Sequence, residues 1–192
     1  MAPLIILISG KQGSGKTTTA RALISSLYYS YLGEYFPIIK KFADPLYSLH
    51  DTILKEMQKM TGEAQPVKDG ALLQVLGTEW GRKSRGENIW VDILKHEIQR
   101  LSPSVAVVID DCRFENEFDA FPNALRVRLE ASEEKRKLRA DSWRENISHP
   151  SETGLDAYAS QGKFDLYIRT DDPALSPDHA TNLILAQIKK KK

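Results

Sequence analysis

Two uninterrupted apolar runs, LIILI at residues 4–8 and VAVVI at 105–109, stand out from a chain whose hydrophobic and polar positions are otherwise mixed. Runs of this kind predict strands buried on both faces of a sheet. After the first run and a glycine-rich loop, Ala20, Leu23, Ile24, Leu27, Tyr28 and Tyr31 recur at the 3.6-residue spacing of a helix with one apolar stripe. Residues Phe36–Phe42 predict a second strand. Asp44 and Pro45 then read as the N-cap and first residue of a helix carrying Leu46, Leu49, Ile53, Met57 and Met60. A loop is expected between Gly62 and Gly70, followed by helical segments Ala71–Trp80 and Ile89–Leu101 separated by a basic turn, GRKSRGEN. Leu125–Leu129 alternates apolar residues with Arg126 and Arg128, as a strand near a sheet edge would. Phe164–Ile168 completes the strands, and Leu183, Ile184 and Ile188 mark a terminal helix. Strands alternating with helices predict an α/β fold: an open, mainly parallel sheet of about five strands with flanking helices.

Composition narrows the class without choosing a function. The 192 residues suffice for a single domain with a proper core. With 27 Lys and Arg against 26 Asp and Glu, the net charge is +1, so no global field draws the chain to nucleic acid or to a membrane. Any anion site must be local. The lone cysteine, Cys112, excludes an internal disulfide, fits a reducing cytoplasm and reads as a buried, inert thiol. The N-terminal run is too short to span a membrane and lacks a basic flank, so neither an anchor nor a signal peptide is expected. The terminal lysines read as a solvated tail.

The loop after the first strand is where chemistry concentrates. ISGKQGSGKTTTA fits the pattern G-x-x-x-x-G-K-[ST], with Gly10, Lys11, Gln12, Gly13, Ser14, Gly15, Lys16, Thr17 and Thr18 between a buried strand and an amphipathic helix. Glycines let backbone N–H groups converge on one concavity, and the helix N-terminus behind them favours anions. Lys16 can reach β and γ phosphates, and the Thr17 hydroxyl can sit on Mg²⁺. The segment is expected to bind the phosphates of a nucleoside triphosphate.

Other residues point to phosphoryl transfer to a small molecule. The run VAVVI ends in Asp110 and Asp111, at the sheet edge where ligands of α/β folds bind. Arg82, Arg85, Arg113, Arg136, Arg139 and Arg144 cluster in three segments expected on that edge, and a moving phosphoryl group needs positive charge on both sides. No N-K-x-D motif of a GTPase is present.

Taken together, GKQGSGKTT, KFADPLY, LLQVLGTEWGR with IWVD, VIDDCRFENE and HPSE resemble the deoxynucleoside monophosphate kinases of tailed bacteriophages and their relatives. The blocks run from residue 10 to about residue 170, in order. The resemblance implies one P-loop kinase domain over residues 1–192, a three-layer sandwich with a helical acceptor-binding region at 45–101 and a lid-like segment at 132–150. It implies transfer of the γ-phosphoryl of ATP, with Mg²⁺, to a deoxynucleoside 5′-monophosphate in the cytoplasm, that of the host if the chain is phage-encoded. Lys16 would neutralise the triphosphate and Thr17 hold the metal; Asp111 would face the acceptor, and Arg113 and Arg82 would grip its phosphate. Phe42, Asp44, Gln74 and Trp90 would shape the nucleoside pocket, although Trp90 also reads as helix core and Asp44 as a cap. Glu117 reads equally as a first-turn helix acid. Arg136 or Arg139 would close onto the transferring phosphates from a segment with little to bury. His149 and Glu152 read as structural or hinge residues, because a monophosphate acceptor is already ionised and needs no base.

Membrane association is not expected, nucleic acid is a poor fit, and a homodimer stays open. Two other readings remain: a P-loop kinase of another acceptor such as a nucleoside, and a nucleotide-dependent regulatory or nucleic-acid-binding module.

Overall fold

A computed structural model describes residues 2–30, 34–139, 143, 150–171 and 177–191. Tyr31, Arg144 and His149 lie outside them. The chain divides into two compact units, one of residues 1–41 and 101–192, the other Phe42–Arg100.

The first unit holds a five-stranded sheet in the order β2-β3-β1-β4-β5, all pairs parallel. Its strands are β1 (Leu4–Ser9), β2 (Phe36–Lys40), β3 (Val105–Ile109), β4 (Leu125–Glu130) and β5 (Leu166–Arg169). On one face, Ile6, Ile8, Ala106, Val108, Leu125, Val127 and Leu129 pack against Ala20, Leu23 and Leu27 of α1 (Lys16–Ser30) and Ile184 and Ile188 of α9 (Pro177–Lys190). The alternate residues Leu7, Val107 and Ile109 are buried as well, which is why β1 and β3 are apolar at every position. Full burial of each such side chain stabilises the fold by about 1.5–3 kcal/mol. The α1 stripe ends early, since Tyr28 is 55% exposed.

Sequence and structure part at β4. The alternation of Arg126 and Arg128 suggests an edge strand, yet β4 lies between β1 and β5. Arg128 is only 6% exposed, because its guanidinium is paired inside the unit to Ser9 and Asp156. The expected strand Phe36–Phe42 stops at Lys40.

The second unit is helical: α2 (Asp44–Thr61), α3 (Gly70–Gln74), a π-helical stretch Val75–Arg85 and α4 (Ile89–Ile98). Two expectations are corrected here. Asp44 is the first helical residue rather than the cap, which is Ala43. The expected basic turn is largely helical, running on to Arg85. Gly81, the first residue of that expected turn, is buried, and a Cβ there would stand 2.6 Å from the Trp90 ring. On α2, Leu49, Ile53, Met57 and Met60 are exposed, and the buried residue is His50. Its Nδ1 lies 2.8 Å from the Asp51 carboxylate, and its Nε2 accepts the Asp69 N–H at 3.0 Å.

Among the described residues no helix is long and apolar enough to cross a membrane.

Candidate active site

The parallel order changes direction at β1, with β3 on one side and β4 on the other, so the strand ends there open a crevice. Register brings Leu7 beside Ile109 and Ser9 beside Arg128. Three chain segments therefore deliver Gly10, Asp110 and Arg128 to one edge.

The loop from Gly10 to Thr17 wraps as its glycines require. Gly13, at φ +75°, lies so close to the Arg136 backbone that any Cβ would collide with it. Gly15, at φ +91°, has open space where a side chain would stand. The Lys16 ammonium donates to the carbonyls of Gly10 (2.6 Å) and Lys11 (2.9 Å). Enclosure of that ammonium pushes its pKa down to about 8, with the Arg113 charge acting in the same direction and Glu152 and Asp110 opposing it. Lys16 thus starts α1 as a cation held under the loop and short of counter-charge, a state that an incoming phosphate relieves.

Thr17 donates its hydroxyl to Asp110 Oδ2 at 2.8 Å. Asp110 is 3% exposed, and among the described residues its Oδ1 has no hydrogen bond, with Lys41 Nζ 3.6 Å away. A hydroxyl and a buried carboxylate with an unfilled oxygen are hard oxygen donors of the type Mg²⁺ takes, usually with waters and substrate phosphates. The residues present fit that ion.

Beyond β3, Asp111 and Arg113 are half-buried. Glu117, at the start of α5 (Glu115–Asp119), accepts the backbone N–H of Arg113 (2.7 Å) and of Phe114 (3.1 Å), so the first-turn reading of Glu117 is the one the geometry displays. It also fixes the turn that carries Arg113. The Arg113 guanidinium meets Glu152 Oε1 at 3.1 Å, while Oε2 of the same carboxylate accepts the Gln12 N–H at 2.7 Å. One anion is thus shared by the glycine loop and by the arginine of D-x-R.

A second cluster supports the loop from behind. Arg128 donates to Ser9 Oγ (3.2 Å) and to Asp156 (2.7 Å) in α8 (Asp156–Ser160), and Asp156 also pairs with Lys11 (2.9 Å). Arg136, in α6 (Glu133–Arg139), is 7% exposed and donates to the carbonyls of Gln12 and Ala131, both at 3.2 Å, with its guanidinium over Trp143. Arg139 donates to the Thr170 carbonyl at 2.6 Å. A cavity of about 370 Å³ adjoins the loop, lined by Lys11, Ser14, Arg128, Arg136, Arg169 and Asp171.

The remaining expected residues belong to the helical unit. Arg82 is half-buried, while Asp44 and Gln74 are exposed. Phe42 and Trp90 are 2% and 4% exposed, and Trp90 Nε1 donates to the Gly77 carbonyl at 3.0 Å. Trp90 is therefore a core residue with its one polar group satisfied.

Asp110, Glu152 and Arg128 are the residues sequence reasoning undervalued. Asp110 stood beside Asp111 with nothing local to rank the two. Glu152 meets Gln12 across 140 positions of chain and Arg128 meets Ser9 across 119, so no spacing rule could pair them.

No family model matches the chain. Over 93 residues, 45% of its length, it is 37% identical to deoxynucleoside-5′-monophosphate kinase of Escherichia phage T5. That match spans 34% of the phage protein. The resemblance carried by the motifs is thus seen by direct comparison over part of the chain. Among solved structures, TT1252 of Thermus thermophilus superposes with a TM-score of 0.60 at 19% identity, covering 97% of this chain and 98% of that one. Shikimate kinase of Aquifex aeolicus gives 0.53 at 16%, covering 98% of each. Shikimate kinase of Acinetobacter baumannii gives 0.53 at 17%, covering 100% and 96%. The fold is that of the P-loop kinases. At these identities the structural likeness speaks for the fold alone, and it extends over nearly the whole chain.

Proposed function

We propose that this protein is a deoxynucleoside monophosphate kinase, moving the γ-phosphoryl of ATP to a deoxynucleoside 5′-monophosphate. The observation that carries the proposal is the shared carboxylate. Glu152 is held at once by a backbone N–H of the glycine loop and by the Arg113 guanidinium, so the two groups expected on donor and acceptor phosphates already converge on one anion. Phosphoryl transfer calls for such convergence, because catalysis consists of positioning and of charge opposite the equatorial oxygens. The partial identity to the phage T5 enzyme supports the same substrate class.

In this reading the loop amides and Lys16 hold the β and γ phosphates, and Lys16 is most useful protonated. Thr17 and Asp110 hold Mg²⁺, which when bound would neutralise charge on the phosphate oxygens. Arg113 orients the acceptor phosphate; a bidentate guanidinium fixes direction as well as charge. Asp111 faces the acceptor. Arg136 and Arg139 would hold α6 against the glycine loop and Thr170, helping to keep water from the phosphates, a requirement of any kinase that is not to become a hydrolase. The nucleoside of ATP would use the cavity beside Ser14 and Arg169. The helical unit would bind the acceptor through Arg82, with Asp44 and Gln74 as its exposed polar groups.

Release of ADP, coupled to a spectrophotometric signal, tests the reading. Each of the four deoxynucleoside monophosphates, their ribose forms, free nucleosides and DNA are offered in turn with ATP and Mg²⁺. Stimulation by at least one deoxynucleoside monophosphate is expected. Stimulation only by nucleosides would move the acceptor to another class, and stimulation only by DNA would support a nucleic-acid-dependent module.

A further inference from the structure

Asp110 lies between two lysines. Its strand, β3, has β1 on one side and β2 on the other. From the β1 side comes Lys16, whose charge Asp110 favours. On the β2 side the register sets Lys40 beside Ile109, so the next residue, Lys41, comes level with Asp110. The Lys41 ammonium stands 3.6 Å from Oδ1, the carboxylate oxygen that makes no hydrogen bond among the described residues.

Such a contact differs from an ordinary surface ion pair. The Asp110 side chain is 1% exposed and that of Lys41 39%, so a buried carboxylate draws in a cation that solvent still reaches. Away from water, counter-charge at Asp110 is worth far more than it would be on the surface. Yet 3.6 Å is too long for a hydrogen bond. Lys41 gives Oδ1 charge without a fixed bond, and a partner held in that way can be exchanged. Mg²⁺ is a hard, doubly charged competitor for the same oxygen and would repel the ammonium at this range.

Topology indicates where the displaced ammonium is useful. Residues 42–100, the unit to which the acceptor is assigned, form the connection from β2 to β3, and Lys41 directly precedes them. Lys16 supplies charge from the β1 side, that of the donor. A moving phosphoryl group needs charge on the acceptor side as well.

We propose that Lys41 is a second phosphate-binding lysine: it yields Asp110 Oδ1 to Mg²⁺ and passes its ammonium to the acceptor phosphate. The proposal rests on the kinase reading above. Lys41 competes with the metal but helps the acceptor, so its removal should move the two affinities in opposite directions. A residue that only supports the fold would lower both.

Two titrations test this. Lys41→Met keeps the length of the side chain without its charge, and Lys41→Arg keeps the charge. Mn²⁺, as a probe for Mg²⁺, is titrated into the nucleotide-free protein and the free ion is followed by electron paramagnetic resonance. Lys41→Met should bind Mn²⁺ about threefold or more tighter than the wild type, and Asp110→Asn should bind it least. Each of the four deoxynucleoside monophosphates is then titrated by calorimetry in the presence of Mg²⁺ and β,γ-methylene-ATP. Binding should be weakened about tenfold or more in Lys41→Met and stay within about threefold of wild type in Lys41→Arg. Mn²⁺ binding that is equal in the wild type and Lys41→Met, weaker in Lys41→Met, or absent from both would overturn the exchange. An unchanged acceptor affinity in Lys41→Met would overturn the acceptor role. Failure of the kinase reading looks different, because the wild type itself then binds none of the four monophosphates. That result removes the acceptor role as well, and the Mn²⁺ titration still decides the exchange.

Discussion

The two units differ in how their polar residues are held. In the sheet unit, most members of the site are tied to another by a bond across a large gap in sequence: Thr17 to Asp110, Gln12 and Arg113 to Glu152, Lys11 and Arg128 to Asp156, Arg136 to the loop. In the helical unit, the residues expected to recognise a nucleoside are either spent on its own packing, as Phe42 and Trp90 are, or exposed, as Asp44 and Gln74 are. The difference teaches that phosphate chemistry is built into the fold before any ligand arrives. The partition predicts that substitutions in the sheet unit alter catalysis broadly, whereas those in the helical unit alter which acceptor is used.

The largest effect expected falls on Lys16. Lys16→Ala removes the charge opposite the β and γ oxygens and should cut turnover by about 10²–10³-fold, with the fold retained by circular dichroism. Turnover within a factor of two of wild type would break the partition at its strongest point.

Arg113→Ala comes next. Loss of a guanidinium fork should raise the monophosphate KM by about 10–100-fold and leave the ATP KM nearly unchanged, and Arg113→Lys should restore little. An increase confined to the ATP KM would assign Arg113 to the donor.

A smaller effect follows from the pKa of Lys16. Burial and the Arg113 charge push it down to about 8, so the ammonium is mostly charged at pH 7 and loses its proton as pH rises through about 8. Bound triphosphate supplies the missing counter-charge and draws the proton back. ATP binding near pH 8 should therefore take up a proton, read as a buffer-dependent heat in calorimetry, and kcat/KM for ATP should fall above that pH. Lys16→Arg should abolish the proton uptake. For stability the sign is opposite to that of a salt-bridged lysine. A lysine whose pKa drops on folding costs stability while charged, so the unliganded protein should gain stability as pH rises from about 8 towards the model-compound value of 10.5.

The smallest effect is structural. Gly13→Ala puts a Cβ into the Arg136 backbone at a positive φ, costing about 1–3 kcal/mol, and should lower Tm by about 2–4 °C for each kcal/mol at this chain length. An unchanged Tm would mean that the loop and α6 are less tightly joined than the contact implies.

What could be read from the sequence was what short spacing encodes. The glycine loop, the α1 stripe and the all-apolar β1 and β3 follow from neighbours within about a dozen residues; the loop and strands stand where they were expected, and the α1 stripe is buried as far as Leu27. The errors came where a local sign had a tertiary cause. GRKSRGEN resembled a turn but is helical as far as Arg85, with Gly81 making room for Trp90. Arg128 resembled an edge residue but is a buried partner of Asp156. Glu152 was missed as a site residue because its partners, Gln12 and Arg113, are 140 and 39 positions away. The segment read as a lid is described only in part: α6 is a helix with a Glu133–Lys137 pair, and the stretch around His149 lies outside the described residues.

The central claim, that one anion position joins donor and acceptor phosphates, is tested most directly by following the γ-phosphoryl itself. ATP labelled in the γ position is mixed with Mg²⁺, the protein and each deoxynucleoside monophosphate, and the products are separated by charge. The account predicts label in the deoxynucleoside diphosphate, with little in free phosphate, and loss of that product in Arg113→Ala. Label appearing only as inorganic phosphate with all four acceptors would contradict it.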